Sequence, residues 1–178
     1  MDWLDIKEFF KDTFGYIIYI IIILLVAIYI VGLQQVVGPS MSPTLENGDI
    51  LILDKVTYKI FDIKRNDIIA FYSSKSKYLI KRVIGKPGDY IEFINNQLYV
   101  NNQLVQEEYL PDDVITENFS LQDIGYSVIP EDMYLVLGDN RENSSDSRDP
   151  EIGLIPKKDI IGKVRFRIWP LNQMKLVK

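Results

Sequence analysis

The chain has 178 residues, 47% of them hydrophobic, and a formal net charge of −5 at pH 7. This acidic balance offers no electrostatic attraction to a phosphate backbone, so we do not expect nucleic-acid binding. The sequence contains neither histidine nor cysteine, which excludes a Ser-His-Asp triad, thiol catalysis and thiolate metal sites. No metal ion or cofactor is predicted, and stability must come from packing rather than from disulfide bonds.

An uncharged apolar run of 20 residues occupies residues 14–33. At about 1.5 Å per residue, a helix of this length covers about 30 Å, the thickness of a bilayer's hydrocarbon core. The helix of a soluble core would show a polar face, and a cleavable signal peptide would have a shorter apolar region followed by a small-x-small site. The run therefore predicts an uncleaved transmembrane signal-anchor.

The orientation follows from the lysines and arginines that flank the run. Lys7 and Lys11 precede it, and residues 34–54 contain no Lys or Arg. We predict a cytoplasmic N-terminus over residues 1–13, a single transmembrane helix over 14–33 in the cell membrane, and an extracytoplasmic domain over 34–178. A domain of that length is sufficient for one hydrophobic core.

Short apolar segments bounded by turn residues follow the anchor and predict β-strands. These segments are residues 49–54, 67–72, 78–84, 90–93, 97–100, 103–105, 133–137 and 160–168. Residues 107–131 are acidic and interrupted by proline, which indicates an irregular excursion from the sheet. The predicted fold is therefore mainly β, with an N-terminal transmembrane helix before an antiparallel β domain.

Ser40 lies between the pair Gly38–Pro39 and Pro43, a composition that neither a helix nor a central strand tolerates. A bent segment of this kind can present a serine hydroxyl at the surface as a nucleophile. Taken alone, a serine in such a segment is more often an ordinary turn residue. A serine nucleophile needs a base to take its proton, and without histidine the remaining candidate is a deprotonated lysine.

Lys81 is the candidate base because of its place in the strand predicted over residues 78–84. Alternate residues of a strand share a face, so Lys81 lies between Leu79 and Val83. Apolar surroundings can lower a lysine pKa by about 3–5 units when burial is complete, as a general base near neutral pH requires. The alternative is a lysine that snorkels from a half-exposed strand. Arg82 points to the opposite face and cannot act as the base, since a guanidinium stays protonated.

The segment 138–149 is too polar for a strand. It does not fit an EF-hand calcium loop, because Arg141 takes the third position from Asp139 and Ser144 stands where the turn glycine belongs. Two interpretations stay open for this segment. It is either a hydrogen-bonded network that orients a neighbouring site or a solvated loop.

Four motifs follow the anchor in a fixed order: Ser-Met-x-Pro-Thr at 40–44, Gly-Asp-Ile-Leu at 48–51, Lys-Arg-Val-Ile-Gly-x-Pro-Gly-Asp at 81–89, and Gly-Asp-Asn-x-x-x-Ser-x-Asp-Ser-Arg at 138–148. Over about residues 36–170, the chain resembles type I signal peptidase of the single-anchor kind found in Gram-positive bacteria. The resemblance implies a β-sheet or barrel-like catalytic domain. It also implies a membrane-bound serine endopeptidase that removes signal peptides, with small residues at positions −1 and −3, from secretory preproteins.

The resemblance further implies roles for individual residues. Ser40 would be the nucleophile and, through its backbone amide, an oxyanion donor, with Lys81 as the general base. Five residues would support them: Ser144 by a hydrogen bond to the lysine amine, and two bracing pairs, Asp146 with Arg148 and Arg82 with Asp139. Some family members carry a hydroxyl residue two positions before the nucleophile, where this chain has Gly38. Loss of one oxyanion donor can cost about 3–4 kcal/mol in other serine proteases, so a backbone amide or water must take its place.

Two other functions are compatible with parts of this pattern. A self-cleaving repressor-type peptidase shares the Ser-Lys dyad, but it would lack the anchor and would carry its own scissile bond. A non-enzymatic, membrane-anchored β module would require Ser40 and Lys81 to be a coincidence. Incubation with a preprotein would separate these alternatives.

Overall fold

The computed structural model describes residues 3–73 and 78–177. Helix α1 spans Trp3–Ile30 and the short helix α2 spans Thr57–Ile60. The strands are β1 Val31–Gln35, β2 Ile50–Asp54, β3 Ile68–Tyr72, β4 Tyr78–Gly85, β5 Ile91–Ile94, β6 Gln97–Val100, β7 Gln103–Val105, β8 Phe119–Ser120, β9 Met133–Leu137, β10 Ile155–Pro156, β11 Ile160–Trp169 and β12 Lys175–Leu176. Single turns of 3-10 helix cover Leu121–Ile124, Lys157–Asp159 and Leu171–Gln173.

The strands form two antiparallel sheets. The larger has eight strands in the order β1-β2-β11-β3-β4-β9-β10, with β12 paired to β11, and the smaller has the order β7-β6-β5-β8. Every strand pair is antiparallel. The predicted fold class, a mainly β antiparallel domain after an N-terminal apolar helix, is confirmed. All eight predicted strands are present within one or two residues of their predicted ends.

Helix α1 contains an 18-residue segment, Thr13–Ile30, with a mean hydropathy of 2.6, long and apolar enough to cross a membrane. The helix ends at Ile30, three residues before the predicted end of the anchor at Leu33. The difference arises because residues 31–35 pair with β2, from Val31 opposite Asp54 to Gln35 opposite Ile50. An apolar run does not reveal where a helix changes into a strand, since both structures accept the same residues.

Lys55 joins the end of α1 to the sheet. Its backbone amide donates to the Ile30 carbonyl at 2.9 Å, and its Nζ donates to the Ile28 carbonyl at 2.9 Å. The last carbonyls of a helix have no partner within the helix itself. Lys55 supplies two such partners, so α1 continues into the β domain without a flexible linker.

Three apolar clusters hold the domain together. One joins the smaller sheet to β4 and β9 through residues such as Phe93 and Leu135, both almost fully buried. A second packs the loop between β1 and β2, through Met41 and Leu45, against the larger sheet. The third lies on the other face of the larger sheet and includes Phe71. Burial of this kind stabilises by about 25 cal/mol per Å² of apolar surface, so these clusters fix the loop and β4 relative to each other.

The sequence did not predict strands β8, β10 and β12, which have two residues each, or the four-residue helix α2. Elements this short contain less than one full repeat of an apolar pattern. The three short strands pair with longer neighbours that offer free backbone groups. Ile155, for example, pairs with Tyr134 of β9.

Candidate active site

Ser40 lies in the loop that connects β1 to β2, and the loop is held at both ends. The Val36 amide donates to the Asp49 carbonyl at 2.8 Å, and the Gly48 amide donates to the Val36 carbonyl at 2.9 Å. Met41 and Leu45 are 1% and 0% exposed and anchor the loop in the core. Gly38 has φ +87°, a left-handed conformation that favours glycine. The bend predicted from the glycine and the prolines therefore presents Ser40 beside β4.

Lys81 projects from β4 towards this loop. Its Nζ donates to Oγ of Ser40 at 2.6 Å and to the Ile80 carbonyl at 3.1 Å. Lys81 is 1% exposed, in agreement with its predicted position between apolar neighbours. Burial lowers the pKa of the Lys81 ammonium from 10.5 to about 8, while the nearby carboxylates of Asp146 and Asp139 oppose this shift. A lysine in this environment spends part of its time neutral near physiological pH, which a proton acceptor requires.

The backbone amide of Ser40 donates no hydrogen bond to any residue that the structure describes. This amide is thus free to donate to a developing oxyanion. The amide of Gly38 donates to Oδ1 of Asn47 at 2.9 Å and is already occupied. A Cβ atom added at Gly38 would have no atom within 4 Å. The absence of a hydroxyl at this position is therefore not a consequence of limited space.

Arg82 and Asp139 form the first predicted bracing pair. Nε of Arg82 donates to Oδ1 of Asp139 at 2.9 Å, and Nη2 donates to Oδ2 at 2.7 Å. Their side chains are 0% and 1% exposed. Nη1 of Arg82 also donates to the Asn66 carbonyl at 3.0 Å. A two-point pair of this kind fixes the orientation of both groups as well as their separation.

Asp146 and Arg148 form the second predicted pair. Nε and Nη2 of Arg148 donate to the two carboxylate oxygens of Asp146, each at 2.9 Å. The Gly138 amide donates to Oδ2 of Asp146 at 3.0 Å. The carboxylate therefore connects the two ends of the polar segment 138–149. Of the two interpretations left open for this segment, a hydrogen-bonded network describes it and a solvated loop does not.

Ser144 lies in the site but lacks the hydrogen bond expected of it. Its Oγ is buried and has no hydrogen-bond partner within residues 3–73 and 78–177, so the predicted bond to the Lys81 amine is not formed. The Lys81 amine instead donates to Ser40 and to a backbone carbonyl. Oγ of Ser144 lies against Gly138, where an added Cβ atom would be 2.2 Å away.

Residues that the sequence did not single out also contact the backbone of Ser40 and Pro39. The Asn140 amide donates to the Ser40 carbonyl at 3.1 Å, and its Nδ2 donates to the Pro39 carbonyl at 3.2 Å. A Cβ atom at Gly138 would lie 2.3 Å from the Ser40 carbonyl oxygen. Gly138 and Asn140 belong to the fourth motif, so the motif contained this signal. The sequence alone did not reveal that this segment lies directly on the Pro39–Ser40 backbone.

A small cavity of about 90 Å³ opens beside Ser40 and Lys81. Its walls come from β1, from the loop that carries Ser40 and from the first half of β4, namely Gln34, Gln35, Val36, Val37, Met41, Tyr78, Leu79 and Ile80. A space of this size accepts a small side chain. No group of three or more Asp or Glu side chains that could hold a metal ion occurs within the described part of the chain.

Comparisons with known proteins identify one family. The family model described as signal peptidase, peptidase S26, matches residues 7–169. The chain is 38% identical to signal peptidase IB of Staphylococcus aureus (strain COL), over 95% of this chain and 94% of that protein. It is 44% identical to signal peptidase I of Bacillus caldolyticus, over 76% of this chain and 78% of that protein.

A similar fold has been determined by crystallography. The structure of a signal peptidase I from Enterococcus faecalis V583 superposes with a TM-score of 0.52 at 33% sequence identity. The match covers 58% of this chain and 97% of the crystallised one.

Proposed function

This chain belongs to the signal peptidase family, peptidase S26, and is a signal peptidase of type I; we propose that it cleaves signal peptides with a catalytic dyad of Ser40 and Lys81. The observation that carries the proposal is the 2.6 Å hydrogen bond from Nζ of Lys81 to Oγ of Ser40. The burial of Lys81, which lowers its pKa to about 8, also supports the proposal. A hydroxyl and a neutral amine at hydrogen-bond distance are the nucleophile and base of acyl transfer.

In the acylation step, neutral Lys81 takes the proton of the Ser40 hydroxyl as Oγ attacks the carbonyl carbon of the scissile peptide bond. The negative charge that develops on the carbonyl oxygen is stabilised by the Ser40 amide. The lysine ammonium then gives its proton to the leaving amine, the C–N bond breaks, and an acyl-enzyme ester remains on Ser40. In deacylation, Lys81 accepts a proton from the water that attacks the ester carbonyl carbon. The bond from Oγ to that carbon then breaks, the lysine ammonium returns the proton to Oγ, and the carboxylic acid product leaves.

The two bracing pairs have an electrostatic role in this proposal. The carboxylates of Asp146 and Asp139 favour the lysine ammonium, but each is neutralised by a two-point arginine partner. Without those arginines, the carboxylates would raise the lysine pKa and reduce the neutral fraction at neutral pH. We therefore assign Arg82 and Arg148 the role of keeping Lys81 a base.

We further propose that α1 anchors the enzyme in the cell membrane as a single-pass helix, with residues 1–13 cytoplasmic and residues 34–178 outside. Lys7 and Lys11 support this orientation. Ser40 follows the end of α1 by ten residues, five of which are held in β1. The nucleophile therefore lies near the outer membrane surface, where the end of a signal peptide's apolar segment emerges.

The proposed substrates are secretory preproteins with small residues at positions −1 and −3. The cavity of about 90 Å³ beside Ser40 supports this choice, because it has room for alanine but not for a large side chain. A substrate bound as an extended strand would direct alternate side chains to the same wall, which accounts for selection at every second position. Membrane lipid surrounds the anchor in this proposal, and no metal or nucleic acid takes part.

One experiment tests the proposed function directly. The detergent-solubilised protein is incubated with a preprotein whose signal peptide ends in Ala-x-Ala, and the new N-terminus is sequenced. We expect one cleavage directly after the second alanine, and none with Ser40→Ala. Ser127→Ala, which alters an exposed serine, is the matched control and should cleave normally. Residual turnover of Ser40→Ala within tenfold of wild type would exclude Ser40 as the nucleophile.

A further inference from the structure

The segment between β7 and β8 is part of the excursion to which no function was assigned. Arg141 connects this segment to the loop that carries Ser40. Nε of Arg141 donates to the Gly138 carbonyl at 3.1 Å. Its two terminal nitrogens donate to both carboxylate oxygens of Glu107, and one of them also donates to Oγ1 of Thr116 at 2.9 Å. The guanidinium is 0% exposed and the Glu107 side chain is 11% exposed. Burial makes this a pair whose geometry cannot relax into water.

Tyr109 ties the same segment to the second arginine of the site. Its hydroxyl accepts from Nη2 of Arg141 at 3.3 Å and donates to Oε1 of Glu107. The face of its ring lies 3.9 Å from Cζ of Arg82, the arginine that pairs with Asp139. Burial raises the pKa of the Tyr109 hydroxyl, so the group stays protonated as the donor that this network requires.

The contacts that start at Glu107 lead through Arg141 and Gly138 to the backbone of Ser40. A Cβ atom at Gly138 would lie within 2.3 Å of both Oγ of Ser144 and the carbonyl oxygen of Ser40. The Asn140 amide holds the same Ser40 carbonyl at 3.1 Å. Gly138 and Ser40 are closely packed, so a shift of the Gly138 carbonyl must move the nucleophile.

We propose that Glu107 is a positioning residue for catalysis: with Arg141, it holds the Gly138 peptide against Ser40 and thereby sets the attack geometry of the nucleophile. Glu107 has no hydrogen bond to Ser40 or Lys81 and acts through Arg141, with a second contact to the Tyr109 hydroxyl. In this proposal, the smaller sheet and the loop after β7 support the loop that carries Ser40. This inference rests on the proposed roles of Ser40 and Lys81.

The charges around the site give this role a distinct signature. Lys81 is faced by Asp146 and Asp139, which are paired with Arg148 and Arg82. The guanidinium of Arg141 also interacts with Asp139. Removing the Glu107 charge leaves Arg141 as an uncompensated cation on this side of Asp139. An added positive charge disfavours a nearby ammonium, so the pKa of Lys81 should fall further.

The test compares kcat and KM from pH 5 to 10 for the full-length wild type, Glu107→Gln and the control Glu108→Gln on one preprotein. Glu108 is exposed and has no partner among the described residues. A displacement of about 1 Å can cost about 100-fold in rate. We expect Glu107→Gln to lower kcat at least about tenfold while KM stays within about twofold of wild type. The midpoint of the rise of kcat/KM with pH should shift to lower pH by about half a unit. Glu108→Gln should match the wild type.

Two further variants decide the remaining outcomes. Glu107→Asp keeps the charge but shortens the side chain, so it should lower kcat while the pH limb stays in place; it also replaces Glu107→Gln if the latter does not fold. The inference is overturned if kcat of Glu107→Asp stays within twofold of wild type. It is also overturned if the activity loss of Glu107→Gln matches its unfolded fraction and the pH dependence of kcat/KM does not move. Ser40→Ala belongs in the same series, because its activity would reject the proposed function, whereas an inactive Ser40→Ala beside a fully active Glu107→Gln rejects only the positioning role.

Discussion

The Lys81 amine reaches the Ser40 hydroxyl at 2.6 Å across a sequence separation of 41 residues. Neither group is free to move away. Lys81 is enclosed in β4 with 1% of its surface exposed, and the loop of Ser40 is pinned by buried Met41. The pair is therefore preorganised before substrate binds, and the protonation state of the lysine is the variable that conditions can change.

The exchange of Lys81 for arginine should abolish activity although it keeps the positive charge. A base must spend part of its time neutral, and a guanidinium does not. We expect kcat/KM of Lys81→Arg to fall at least about 1,000-fold, to the level of Lys81→Ala. The wild-type kcat/KM should rise with pH along one limb with a midpoint near 8, the lowered pKa of Lys81.

Kinetics from pH 5 to 10 measure both effects at once. Lys59→Arg, in which the altered lysine forms no ion pair within the described part of the chain, is the control and should retain wild-type rates. An active Lys81→Arg enzyme would remove Lys81 from the mechanism and leave it as a charge that orients its neighbours.

The same buried lysine should reduce stability, and its replacement by methionine should restore it. Below pH 8 the folded protein must bury an ammonium, whereas the unfolded chain solvates it. Between pH 8 and 10.5 the unfolded chain binds more protons than the folded protein, so the wild type gains stability as pH rises through this window. We expect Lys81→Met to be inactive but more stable than wild type by about 1–3 kcal/mol at pH 7.

Urea unfolding at pH 7 and pH 10 measures this difference. The advantage of Lys81→Met should shrink towards pH 10, because the folded lysine is then neutral in the wild type. A Lys81→Met protein that is less stable than wild type at pH 7 would contradict the cost assigned to the buried ammonium.

Gly138 should tolerate no side chain, because an alanine Cβ would lie 2.2 Å from Oγ of Ser144 and 2.3 Å from the Ser40 carbonyl oxygen. We expect Gly138→Ala to lose activity at least about 100-fold and to be destabilised by about 1–3 kcal/mol. Adding Ser144→Ala removes the clash with Oγ but leaves the clashes with Cβ of residue 144, at 2.6 Å, and with the Ser40 carbonyl oxygen, so activity should not return.

Kinetics and thermal unfolding of the three proteins test this prediction. Gly32→Ala is the matched control, since its Cβ would meet no atom closer than 3.4 Å, the flexible side chain of Lys55. Full rescue of Gly138→Ala by Ser144→Ala would show that the serine hydroxyl, rather than the backbone of the nucleophile, is the constraint.

A soluble catalytic domain should begin at Val31 rather than after residue 34. Residues 31–35 form β1 and pair along their whole length with β2. A protein lacking residues 1–30 keeps this strand, whereas one lacking residues 1–34 loses four of its five residues. We expect the longer deletion to be less stable by about 1–3 kcal/mol, because it exposes β2 as an unprotected edge.

Thermal unfolding compares the two truncated proteins directly. The protein that starts at Val31 should still cut peptides, but it should process preproteins in liposomes much more slowly than the full chain does, because the anchor raises the effective concentration. Equal rates on liposomes with and without α1 would show that the anchor contributes nothing to processing.

Much of this protein follows from local features of its sequence. The absence of histidine and cysteine leaves lysine as the candidate base, and alternation along β4 places Lys81 among apolar neighbours. The glycine and prolines around Ser40 require a bend. The strand segments and the apolar helix are local too, because each is defined by a short periodic pattern. The pairs Arg82–Asp139 and Asp146–Arg148 were predicted from the resemblance of the motifs to a known family.

Tertiary structure alone decided which distant groups meet. It ended α1 at Ile30, because β2 offers a partner to the residues that follow. It left Oγ of Ser144 without the expected partner and placed Gly138 directly on Ser40. It also joined Glu107 to Arg141 across a sequence separation of 34 residues. Such contacts depend on how the two sheets pack. The periodic pattern of each contacting segment does not predict that packing.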